Sequence, residues 1–231
     1  MATKQDHLVG LTHEQWTQAW DKGTIGWHRD KVDGILQKYL KQLRGGKESV
    51  SILVTLCGKT LDLPWLADQG HSVVGCEISE LAGKQLFEEN NIPFSVTEID
   101  NFKVFSATDN RKLKFYAGDF FKVSASLIGT FDVIWDHNAF GAVSPSDRSR
   151  YIELLSSLLV SGGKILLSNW EYDQSKRNTA PFSLNSEQIR EYFGAQFEVE
   201  LLERMDYNDS FFTKKFNLDW GYRPIHLLTM R

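Results

Sequence analysis

A chain of 231 residues with 42% hydrophobic and 24% charged residues has the make-up of one globular α/β domain, long enough for a central sheet covered on both faces. Its net charge of −4 supplies no basic field, which argues against a nucleic-acid binder, and no apolar run approaches the roughly 20 residues of a membrane span. The opening stretch MATKQDHLVG lacks the apolar centre of a signal peptide and carries acid, against a transit peptide, so a cytoplasmic protein is expected. Two cysteines, Cys57 and Cys76, make no disulfide framework and read as small buried hydrophobes. Aromatic residues are 13% of the chain, and three tryptophans fall within the first 27 positions, ahead of any strand.

In chain order, residues 12–21 read as a short helix with Thr12 as a candidate N-cap, broken by Gly23 and Gly26. Val32, Ile35, Leu36, Leu40 and Leu43 recur at helical spacing over 30–43. From residue 50 strands and helices alternate: strand 50–56, helix 61–68, strand 72–77, helix 80–89 and a short strand 94–97. Residues 102–107 and 112–117 flank Thr108-Asp109-Asn110 and read as a hairpin. Strand 131–135, helix 146–159, strand 164–170 and helix 186–193 follow, the last with Ser183 or Asn185 as cap. Residues 197–203, 211–218 and 225–230 read as strands without intervening helices. The expected fold is a doubly wound, mostly parallel sheet with an antiparallel C-terminal edge.

The segment 51–80 is one βαβ unit. Gly58 follows its first strand, and Glu77 closes its second, 19 residues on (77 − 58). A glycine there admits a ligand to the backbone, and a carboxylate about 20 residues later accepts from ribose hydroxyls. The GxGxxG of a pyrophosphate turn is absent, so a nucleotide without pyrophosphate fits better than a nicotinamide dinucleotide. Ligands of such sheets lie beyond the carboxyl ends of the strands. Those ends also offer Gly118-Asp119, with Asp119 placed to accept from an adenine amino group and Phe120 to lie against the ring, and Asp136-His137-Asn138. Asp136 reads equally as a cap of the loop after its strand. Trp16 and Trp20, four apart, share a helix face. They serve either as a staple holding the helix to the body or, with Trp27, as an aromatic lid over a ligand, where a sulfonium on a tryptophan face gains roughly 0.5–2 kcal/mol.

The runs Glu14-Gln15-Trp16, Trp20-x-Lys22-Gly23, Gly26-Trp27-His28, Leu56-Cys57-Gly58-Lys59, Gly70-His71-Ser72-Val73-Val74-Gly75-x-Glu77-Ile78-Ser79-Glu80, Phe131-Asp132-x-Ile134-Trp135-Asp136 and Pro181-Phe182 resemble thiopurine S-methyltransferases over essentially the whole chain. The resemblance implies a class I, Rossmann-like methyltransferase fold in a single domain over 1–231. Within it, an N-terminal helical lid spans 1–45 and the core spans 50–231. It implies S-adenosyl-L-methionine as cofactor and a small aromatic or heterocyclic thiol as acceptor, with no metal and a monomeric state. By position, Trp16, Trp20 and Trp27 cover the cofactor, Leu56 and Gly58 line its methionine part, Glu77 and Ile78 the ribose, and Gly118, Asp119 and Phe120 the adenine. Trp27, His137 and Phe211 face the acceptor, and His137 also adjoins the cofactor. His137 is the only catalytic candidate.

His137 stands where the family has arginine in a Trp-Asp-Arg motif, and Phe211 aligns with a second family arginine. The departures bear on thiopurines as acceptors rather than on cofactor binding. They leave open a cofactor-binding protein without thiopurine activity, or a methyltransferase for another small nucleophile.

Overall fold

The computed structural model describes Leu8 and residues 10–231. Residues 1–7 and 9, on which the no-leader expectation and part of the 1–45 lid segment rest, lie outside the described residues. The chain divides into two compact units, one of residues 12–135 and one of residues 136–231 with the described residues up to Leu11.

In the first unit, α1 (His13–Asp21) starts on a capping box: Thr12 accepts from the Gln15 amide, and the Gln15 side chain accepts from the Thr12 amide. Helix α2 (Gly34–Arg44), capped by Asp33, buries Ile35, Leu36, Leu40 and Leu43 and stops at Gly45 in the left-handed region. Then come β1 (Ser51–Val54), α3 (Asp62–Asp68), β2 (Ser72–Glu77), α4 (Glu80–Glu89), β3 (Phe94–Ile99), β4 (Phe102–Ala107), β5 (Leu113–Ala117), α5 (Ala125–Ile128) and β6 (Phe131–His137), whose last two residues begin the second unit. Strand β1 pairs in parallel with β2 and β6, and β2 in parallel with β5. These strands are mostly apolar and buried, with Lys114 of β5 exposed and Asp132 of β6 half-buried. Strand β4 pairs antiparallel with β5, as the hairpin reading expected, and β3 antiparallel with β4, so this unit carries its own antiparallel edge. A buried carboxylate ties the layers: Asp62 accepts from the Asp33 amide and the Trp135 indole, both at 2.8 Å.

In the second unit, α6 (Ala139–Ala142), α7 (Arg148–Ser157), β7 (Leu159–Ser168), α8 (Ser186–Phe193), β8 (Phe197–Asp206), α9 (Phe211–Lys215) and β9 (Tyr222–Met230) follow in order. Strand β9 pairs antiparallel with both β7 and β8, the expected antiparallel C-terminal edge. Residues 211–218 are not a strand, contrary to the sequence reading. Ser210 caps α9 by accepting from the Thr213 amide, and the Thr213 hydroxyl donates among the carbonyls of Tyr207, Asn208 and Ser210. This capping outweighs the β-propensity of the phenylalanines. Asn185, not Ser183, caps α8, and β7 begins before Gly162-Gly163 rather than after them.

Two buried titratable groups of this unit act in opposite senses. His226 is fully buried with one ring nitrogen 3.0 Å from Ser186 Oγ, and burial, helped by the Arg190 charge, pushes its pKa down to about 4. Asp136 is pushed up to about 6 by burial, against donors from Phe140, Tyr151 and Ala139. The His226 contribution is present above 6.5, its ordinary value, and is lost as pH falls through 4; that of Asp136 is present below 3.8 and lost as pH rises through 6. The two offset in the native chain. In His226→Gln the stability difference from wild type therefore moves in the variant's favour by about 3 kcal/mol between pH 7 and pH 4. Urea midpoints across that range check it, and a pH-independent difference would mean that His226 is not held neutral.

Candidate cofactor site and its relatives

In the first unit β2 lies between β1 and β5, so their carboxyl ends meet. Past the end of β1 the chain turns through Leu56 and Gly58, both left-handed at φ +43° and +53°. A leucine there is uncommon, and such residues gather at ligand sites. The Gly58 amide donates to Glu77 Oε2 at 3.0 Å, and the Ser79 amide to Oε1 at 3.2 Å. The Cys57 amide donates to the Cys76 carbonyl at 2.9 Å, locking the two strand ends together. Both thiols sit above their ordinary pKa because burial disfavours the thiolate, and the Glu77 charge adds to this. They are structural groups, as read from the sequence.

Glu77 is 7% exposed. Burial raises its pKa, opposed by donors from the Gly58, Ser79 and Ile78 amides and the Trp20 indole. An ionised carboxylate has about four lone-pair sites, and the Gly58 and Ser79 amides take two of them, so Glu77 keeps capacity for ligand hydroxyls. Trp20 is buried, and its ring covers Gly58: a Cβ on Gly58 would stand 3.2 Å from Trp20 Cζ2. Trp27 packs edge-on to Trp16 and Trp20, with centroids at 5.3 and 6.3 Å. Trp20 thus fastens α1 by covering Gly58, the arrangement of the staple reading. Trp27 is 47% exposed and presents an open aromatic face.

At the end of β5, Gly118 donates to the Glu77 carbonyl at 2.8 Å, and a Cβ there would stand 2.6 Å from the Phe102 ring, so only glycine fits. Asp119 accepts from the Phe121 amide at 2.9 Å and lies 3.5 Å from His13 Nε2, a second tie between α1 and the strand ends. Phe120 is buried. A cavity of about 340 Å³ opens beside these ends, lined by Ile78, Ala117, Phe102, Asn101, Lys103 and three acids, Glu80, Glu98 and Asp100. The unit thus gathers Trp16, Trp20, Trp27, Gly58, Glu77, Ile78, Gly118, Asp119 and Phe120 around the ends of β1, β2 and β5, with Leu56 in the turn.

His137 and Phe211 belong to the second unit. His137 is half-buried at the end of β6, beside Asn138, which is left-handed at φ +60° and donates to the Ser168 carbonyl at 2.7 Å. Asp136 accepts from the Phe140 amide at 3.0 Å and the Tyr151 hydroxyl at 2.8 Å, the cap reading. Phe211 is 75% exposed at the start of α9. Sequence reasoning missed Asp62, although a lone acid inside the apolar run Leu61–Leu66 is a signal for a buried, bonded carboxylate. It missed the β3–β4 wall of the cavity as well.

Among solved structures, a Burkholderia thailandensis 1,6-didemethyltoxoflavin-N1-methyltransferase with bound S-adenosylhomocysteine superposes with a TM-score of 0.63 at 14% identity, over 94% of this chain and 86% of its own. The fold is that of a class I S-adenosylmethionine-dependent methyltransferase. A family model described as thiopurine S-methyltransferase matches residues 11–229. The thiopurine S-methyltransferase of Bos taurus is 36% identical over 199 residues, 85% of this chain and 81% of its own, and that of Oryctolagus cuniculus 35% identical over 222 residues, 95% and 90%. The chain belongs to the thiopurine S-methyltransferase family.

Proposed function

We propose that this protein is a cytoplasmic, monomeric, single-domain enzyme that transfers a methyl group from S-adenosyl-L-methionine to a small aromatic or heterocyclic thiol. The observation that carries the reading is the Glu77 carboxylate at the end of β2, bonded to the Gly58 amide and lying beneath Trp20, in a chain of this family. The residues fit an adenosine: a buried carboxylate for the ribose, a glycine without room for a side chain at position 118, and apolar walls in Ile78, Phe102 and Ala117. Among the described residues no helix is long and apolar enough to cross a membrane, and no group of three or more His, Cys, Asp or Glu side chains is placed to hold a metal.

When bound, S-adenosylmethionine supplies a methyl group on a sulfonium, a leaving group that needs no further activation. The protein's work is then positioning and the exclusion of water. Glu77 accepts from the ribose hydroxyls, and Asp119 from the adenine amino group. Trp16, Trp20 and Trp27 close the crevice and offer ring faces to a cation. An acceptor thiol has a reference pKa near 8.5, about 1.5 units above neutral pH, and aromatic thiols lie lower, so thiolate forms without a dedicated base. His137 stands in the place of the family's arginine and does not reproduce the planar fork of a guanidinium.

Labelled methyl transfer to a panel of thiophenols and thiopurines tests this. Turnover of aromatic thiols is expected, and tight cofactor binding without turnover of any thiol would overturn the reading.

A further inference from the structure

The turn after β1 carries a charge that the cofactor reading leaves unused. Lys59 follows Gly58 directly, and its Nζ donates to both oxygens of Glu89, at 2.7 and 2.8 Å. The Lys59 side chain is 11% exposed, whereas Lys47, Lys84, Lys103, Lys176 and Lys214, also in ion pairs, are 36–69% exposed. Enclosing an ammonium this far costs desolvation, which the two-pronged contact with Glu89 offsets.

Glu89 also departs from local preference. It ends α4, whose last turn holds Glu88 and Glu89 and no base, and an acid there meets the negative end of the helix dipole. Lys59 brings an ammonium to that end from outside the helix. Half-buried His28, the residue after Trp27, lies in the field of the same pair: burial lowers its pKa first and the Lys59 charge next, with Glu89 and Asp30 opposing. The residues that follow two candidate site residues, Gly58 and Trp27, thus converge on the end of α4.

The turn needs holding. A leucine at φ +43°, as at position 56, persists only where its surroundings over-determine it. Two of the turn's ties run to β2: the Cys57 amide to the Cys76 carbonyl, and the Gly58 amide to Glu77 Oε2. The Lys59 pair is a third and runs to α4, so the turn is fixed from two elements. Gly58 is also where the Trp20 ring rests. We infer that Lys59, through its ion pair with Glu89, is a positioning residue for the cofactor: it holds the Leu56–Gly58 turn in the form that bonds Glu77 and seats Trp20. The hold on the turn stands on the geometry alone; its effect on cofactor binding rests on the proposed methyltransferase reading.

Lys59→Met keeps the apolar stem and removes the charge. It is expected to raise the Kd for S-adenosylhomocysteine and the KM for S-adenosylmethionine about fivefold, with the KM of the thiol acceptor unchanged. Lys59→Arg keeps a cation that forks onto a carboxylate and should restore most of the affinity, which a role in packing alone would not require. Glu89→Gln should match Lys59→Met, and the double variant should lose no more than either single one. Amide exchange over residues 56–60 of the unliganded protein reads the hold on the turn without any ligand, and should quicken about fivefold in both single variants. Unchanged exchange would overturn the inference. Quicker exchange with unaltered affinity would make the pair an anchor of the turn alone and overturn its part in cofactor binding. If the wild type binds no S-adenosylhomocysteine and exchange still quickens in the variants, the methyltransferase reading fails and the hold on the turn stands.

Discussion

Glu77→Ala is expected to weaken S-adenosylhomocysteine binding by about 1.5–3 kcal/mol, roughly 10- to 150-fold, the usual worth of hydrogen bonds to a charged group. The same change should destabilise the unliganded protein by about 2–3 kcal/mol, because the Gly58 and Ser79 amides lose a buried acceptor. Glu77→Gln keeps one carbonyl oxygen but turns an NH2 toward a backbone N–H, so it should fall between the two in both measurements. Burial sets the pKa of Glu77 above the ordinary carboxylate value, so wild-type affinity should decline as pH falls toward that pKa, a trend that Glu77→Gln should lack. Calorimetry with S-adenosylhomocysteine and urea denaturation report the two effects separately. Unaltered affinity in a folded alanine variant would place the ribose elsewhere.

Trp20→Ala should release α1 while leaving the sheet standing. The helix has nine residues, and Trp20 is its one buried side chain. So short a helix has little stability of its own, and the exposed His13–Asp119 pair adds little. Removing the indole should therefore speed amide exchange over residues 16–21 by roughly 30- to 1000-fold, a local loss of about 2–4 kcal/mol. The urea midpoint of the whole molecule should move far less, since the parallel strands bury their side chains without the helix. Methyl transfer should fall at least about tenfold as the crevice admits water. Trp20→Phe keeps a ring over Gly58 but loses the N–H to Glu77, and should fall between. Unchanged protection over α1 would show that something other than Trp20 holds it.

The alternation of strands and helices was readable from the sequence because central parallel strands are short apolar runs and helices such as α4 and α8 carry side-chain caps. Residues 72–77, 80–89, 102–107 and 186–193 have the boundaries their patterns predict. The β1–turn–β2 part of the candidate site was readable for the same reason: a glycine after one strand and an acid ending the next are local signals. Residues 211–218 misled because their three phenylalanines favour a strand, while the Ser210 and Thr213 hydroxyls, a short-range signal, decide for a helix. The cover of Trp20 over Gly58 was beyond reach, since it depends on which distant side chains meet.

A crystal structure with S-adenosylhomocysteine bound would show what the Glu77 carboxylate holds. We expect both ribose hydroxyls within hydrogen-bonding distance of the Glu77 carboxylate, the methionine portion against Leu56 and Gly58, and Trp20 covering the ligand. Nucleoside bound away from the ends of β1 and β2, with the Trp20–Glu77 contact intact, would contradict the account.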